Sequence, residues 1–198
     1  MRQYDTMSEV QKALLEPGRV IDLVGEVDGQ MMRYVREACT RLIAKGSPDI
    51  RVIITSCGGE VLAGLDICDM LATYPGKKTG IVVSEASSMG AIILQICTVR
   101  QATQHASLLI HHVSRMLSLG LTPDELQVEI KKGNALQERL DHILTTRTGR
   151  SRDEIQAECK KNRNMTAEEA LAFGLIDEIL PIVIPKPTVK DVSAEEKK

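Results

Sequence analysis

Short apolar runs alternate with longer amphipathic patterns along most of this chain, and that alternation limits the possible folds more than any other feature. Residues 20–24, 52–55, 79–83 and 107–110 are brief and apolar, and several of them are rich in β-branched side chains, as strands require. Between them, residues 30–44, 62–72 and 89–97 carry apolar side chains at spacings of three and four, the period of a helix with one buried stripe. Strand and helix repeated in this order predict an α/β fold, a layered sheet with helices packed against it and strands buried on both faces.

Residues 122–146 read as one long amphipathic helix. Pro123 stands at its first position and Thr122/Glu125 are spaced as a capping box. At about 1.5 Å per residue such a helix outruns a small core, so it is expected to protrude and pack on a partner. Ser151/Glu154 and Thr166/Glu169 repeat the capping-box spacing, and Gly174 follows Phe173 where a helix C-terminal glycine belongs.

The chain has 198 residues and is 43% hydrophobic, enough for one sizeable core. Residues 1–180 are therefore expected to form one domain. Residues 181–198, with Pro185, Pro187 and a charged end, are expected to be a flexible tail. A net charge of −2 and only three Tyr, one Phe and no Trp argue against nucleic-acid binding. The sequence shows no signal-peptide pattern and no apolar run near the ~18 residues of a membrane span, so a cytoplasmic protein is expected. The five cysteines are scattered without a C-x-x-C spacing, which indicates neither disulfides nor zinc; Cys39, Cys68 and Cys97 read as small core residues.

Three segments could carry chemistry. In Ser84-Glu85-Ala86-Ser87-Ser88-Met89-Gly90-Ala91, small residues join a strand to an apolar helix that Ser88 would open. A serine there is exposed as in the nucleophile elbow of hydrolases, with Ala86 where the first glycine stands, and the Met89 amide could face a developing oxyanion. The plain alternative is helix capping by Ser87 and Ser88. Ser56-Cys57-Gly58-Gly59 follows another strand, and its paired glycines allow close backbone approach to a ligand or simply an ordinary turn. His111 and His112 end the strand at 107–110, where alternation would let only one of them serve Ser88; a structural histidine is the alternative.

Together these segments resemble the Clp protease proteolytic subunit from about residue 20 to 180. That family's signature is Ser-Pro-Gly-Gly after a strand, a turn ending in Ala-Ser-Met-Gly-Ala, and a strand ending in Met-Ile-His-Gln-Pro. Here they stand as Ser56-Cys57-Gly58-Gly59, Ser87-Ser88-Met89-Gly90-Ala91 and Leu109-Ile110-His111-His112-Val113, in the same order. Met165-Thr166-Ala167-Glu168-Glu169-Ala170-Leu171-Ala172-Phe173-Gly174-Leu175-Ile176-Asp177 is similar to the family's C-terminal helix and turn.

The resemblance implies the family's layered fold, shared with crotonases, and a serine endopeptidase. Ser88 would be nucleophile, His111 general base, and the Gly59 and Met89 amides the oxyanion hole. It also implies a handle made by the helix from Thr122 that interlocks two stacked heptameric rings. An AAA+ unfoldase of the Clp type would feed unfolded proteins to the chamber, and no metal or cofactor is implied. Rings of one kind of subunit and rings mixed with a paralogue both fit.

The family's third triad residue, an Asp, is matched here by Asn162, and its proline beside the glycine pair by Cys57. Its N-terminal axial hairpin has little counterpart, and positions that often carry aromatics for unfoldase docking are Arg51, Ile53 and Thr73. An Asn can hold an imidazole through its amide oxygen but supplies no negative charge; in a trypsin-type site that exchange costs roughly 10⁴ in turnover. Two readings follow: a peptidase, or a catalytically weak ring subunit that scaffolds an active paralogue. A crotonase-fold acyl-CoA enzyme is a third, against which Ser88 followed by His111 on the next strand argues.

Overall fold

A computed structural model describes residues 18–114 and 120–182 of the chain. Its strands are β1 (Val20–Val27), β2 (Ile50–Gly59), β3 (Lys78–Ser87), β4 (Val99–Thr103), β5 (Ser107–Leu109), β6 (Met165–Thr166) and β7 (Glu178–Leu180). Its helices are α1 (Gly29–Ile43), α2 (Val61–Thr73), α3 (Met89–Leu94), α4 (Pro123–Thr148), α5 (Arg152–Cys159) and α6 (Ala167–Phe173). The sheet runs β1-β2-β3-β4-β7 with parallel pairing throughout this path, which is the α/β layering expected from the alternating pattern.

β3 is shared between two neighbours. Thr79–Val82 pair with β4, whereas Glu85–Ser87 pair with β5, which in turn meets β6 in the one antiparallel step recorded among the described strands. The split lets β4 and β5, close in sequence, flank one strand at different heights. It carries the end of β5, and so the histidines, up to the end of β3.

The helices are set by local chemistry and by burial. Asp28 caps α1 by accepting from the amides of Gln30 and Met31 at 2.9 and 2.8 Å, and the helix buries Met31, Val35, Ala38, Cys39 and Leu42. α3 is apolar all round and every one of its residues is buried, as a helix inside the core must be. α2 approaches it closely because position 64 is glycine: a Cβ there would run into the Met89 side chain. The three capping boxes read from the sequence are all present, and Gly149 and Gly174 end α4 and α6 with φ of 71° and 91°.

Some expectations are corrected. β2 and β3 continue through Gly59 and Ser87, well past residues 55 and 83, because ladder bonds to their neighbours hold segments of low strand propensity. α3 stops at Leu94 rather than 97, where the backbone tightens into i→i+3 turns at Gln95, Ile96 and Cys97. Among the described strands, consecutive buried residues occur only in β3, at Gly80–Val82 and again at Ala86 and Ser87. Among the described residues β1 and β2 alternate, with Ile21, Leu23, Val52 and Ile54 buried and Val24, Ile53 and Thr55 at least partly exposed.

Cys39, Cys68 and Cys97 are core residues as expected, and Cys159 joins them; burial pushes the Cys97 thiol up to about 12. No described helix is long and apolar enough to cross a membrane. Most of the proposed C-terminal tail, residues 183–198, lies outside the described residues.

Candidate active site

β3 delivers Ser88 to a sharp turn. The residue has φ 53° and ψ −122°, a conformation that costs a non-glycine residue roughly 1–3 kcal/mol and persists only where the surroundings impose it. Those surroundings are on hand. The Ser88 amide donates to the Leu109 carbonyl of β5 at 2.8 Å, and the Ser88 carbonyl accepts from Ala91 and Ile92 at the start of α3. Ser88 holds the N-cap position of α3, but its side chain makes no capping hydrogen bond there. The amide of Met89, the next residue, belongs to the first turn of α3, where amides have no intrahelical acceptor.

The glycine pair packs directly beneath this turn. Gly58 has φ 93°, and a Cβ on it would stand 2.5 Å from the Ser88 Cβ and 2.8 Å from the Ser87 carbonyl oxygen. The Ser56 hydroxyl fixes the loop, donating to the Gly25 carbonyl at 2.6 Å and accepting from the Gly58 amide at 3.1 Å. At Gly59 the backbone lies so close to Val27 that a side chain would overlap the Val27 carbonyl. Val27 accepts from the Glu60 amide at 2.7 Å, and in a parallel ladder that pairing turns the amide of the residue between, Gly59, away from β1.

Ser88, Met89 and Gly59 line one cleft together with His111 and His112. Both histidines reach it because β5 ends at Leu109, and strict alternation ends with it. Apolar walls come from Val61, Ile92, Ile110, Leu140 and Leu144. Asn162 is not among the lining residues. It is exposed, in the turn after α5, with φ 46°, a left-handed conformation that Asn adopts more readily than most residues. Asp177 is engaged elsewhere: Arg100, itself buried, grips both its oxygens at 2.5 and 3.1 Å. Among the described residues no cluster of His, Cys, Asp and Glu is arranged to hold a metal ion.

Gln137, which also lines the cleft, was missed by sequence reasoning. Its amide oxygen accepts from the Val113 backbone at 2.7 Å and its nitrogen donates to the buried carboxylate of Asp141 at 2.7 Å. The available signal was a polar pair four residues apart on the helical face that also carries Leu140 and Leu144.

With a layered parallel sheet, a serine held at a strained strand-to-helix turn and a glycine loop pressed beneath it, the architecture agrees with a further finding: a model of the Clp protease family matches residues 2–182. The chain belongs to the Clp protease family.

Proposed function

We propose that this chain is a serine endopeptidase, the proteolytic subunit of an ATP-dependent Clp-type protease working as a chamber of stacked rings. The observation that carries the reading is Ser88 at φ 53°, its side chain making no cap to α3, in one cleft with His111, Gly59 and Met89. In this reading His111 takes the Ser88 proton as Oγ attacks a peptide carbonyl. The Gly59 and Met89 amides hold the resulting oxyanion, and the protonated imidazole gives its proton to the leaving amine. Water then enters, gives a proton to His111 and attacks the acyl carbonyl; the ester bond to Ser88 breaks as His111 returns that proton to Oγ, and the acyl group leaves as a carboxylic acid. An AAA+ unfoldase would supply unfolded chains, and no cofactor takes part.

A second reading, a weakly active ring subunit that scaffolds a paralogue, is favoured by Asn162, which carries no charge and is not among the residues lining the cleft. A fluorophosphonate probe read by intact mass separates the two. The assembled wild type is expected to gain one adduct and Ser88→Ala none, with Asn162→Asp labelling faster than wild type. An unlabelled wild type in assembled form overturns the peptidase reading and leaves the scaffold.

A further inference from the structure

The segment bearing both histidines has no regular structure of its own, yet it is pinned at each end. Toward β5, the Leu109 carbonyl accepts from the Ser88 amide at 2.8 Å. Beyond the histidines, the Val113 amide donates to Gln137 Oε1 at 2.7 Å. The second pin is backed by a chain of polar groups. Gln137 Nε2 donates to Asp141 Oδ1 at 2.7 Å, and Asp141 Oδ2 accepts from Arg152 Nε at 3.1 Å and Gln156 Nε2 at 3.2 Å, both on α5. Asp141 is only 2% exposed, so its charge depends on these donors for stability.

We propose that Gln137 and Asp141 are positioning residues, a buried relay through which α4 and α5 hold the His111–His112 segment against Ser88. This rests on the peptidase reading above. The polarity of the relay is forced. A backbone N–H can only donate, so Gln137 must turn its oxygen to Val113 and its amino group to Asp141, which as a carboxylate only accepts. A staple between α4 and α5 alone would need Asp141, Arg152 and Gln156 but not the arm to Val113. That arm ends in the cleft, two residues from His111, and it singles out Gln137 as the link from helix packing to the site.

The test is a reciprocal exchange. Gln137→Glu sets two carboxylates against each other, and Asp141→Asn added to it restores a donor between them while leaving an oxygen for Arg152. The charge of the relay is unchanged in the double variant. On a fluorogenic peptide, Gln137→Glu and Gln137→Met are expected to lower kcat up to about 10²-fold, the scale of a small misplacement of a catalytic group, with KM little changed. The double variant recovers most of the loss, and thermal unfolding confirms that each variant folds. Wild-type kcat in Gln137→Met, or no recovery in a folded double variant, overturns the proposal while Ser88-dependent labelling of wild type keeps the peptidase reading intact. Absence of that labelling in wild type overturns both.

Discussion

Gly58 is the residue on which the geometry of Ser88 most directly leans. At φ 93° its backbone is open to glycine and strained for anything else, and the space its Cβ would need is held by Ser88 and Ser87. Gly58→Ala therefore has to move either the glycine loop or the serine turn. We expect about 1–3 kcal/mol of lost stability from strain and overpacking, and slower fluorophosphonate labelling than that loss alone would cause. Thermal unfolding and labelling rates on the same samples check this; wild-type labelling in Gly58→Ala would show that the two loops are not mechanically joined. The sequence marked Ser88 and the glycine pair as candidates by local motif, with helix capping and an ordinary turn left open as alternatives. What was not legible is that Ser56 holds the loop through the Gly25 carbonyl, 31 residues away. Nor did alternation along β5 warn that both histidines would line the cleft, since the strand ends before it reaches them.

At the scale of elements, the far edge of the sheet is fastened by Arg100 on β4. Its guanidinium donates to Asp177, to Gln95 and to the Gly174 carbonyl, tying β4 to the end of α3 and to the turn between α6 and β7. The hydrogen bonds from Arg100 hold the Asp177 carboxyl below its ordinary value, against the opposing effect of burial. A carboxylate depressed in the folded state stabilises fully above its unfolded value, near 3.8, and loses that contribution as pH falls through the lower folded value. Asp177→Asn should therefore cost stability at neutral pH, about 1–3 kcal/mol and not the full cost of a buried pair, because the Asp177 side chain is 40% exposed. The gap to wild type should close as pH falls below 3.8, as followed by urea unfolding across pH. A gap that stays constant would assign the effect to packing alone. The helix ends were readable because capping is local chemistry: Thr122, Ser151 and Thr166 each meet a glutamate three residues on. β4, β6 and β7 were not, because their two to five residues carry too little pattern and owe their form to the strands beside them.

For the whole molecule, α4 poses the main question. It runs 26 residues, about 39 Å at 1.5 Å per residue, and its buried residues, Leu140, Asp141 and Leu144, all lie in its C-terminal half. The other half presents Leu126, Val128 and Ile130 to solvent at 38, 49 and 51% exposure. If another chain covers the face shared by Leu126 and Ile130, four residues apart, each would contribute up to about 1.5–3 kcal/mol when fully buried. If that chain is the α4 of an opposing ring, charges placed there should split the particle between rings and leave each ring whole. Leu126→Glu with Ile130→Glu is then expected to halve the mass seen by light scattering, and an unchanged mass would place the ring contact elsewhere. The same helix carries Gln137 and Asp141, so an α4 without its partner should hold the His111 segment less firmly. The half-particles are accordingly expected to label more slowly at Ser88 than the intact assembly. Equal labelling rates in both would separate assembly from activation and confine the influence of α4 on the site to the relay within one chain.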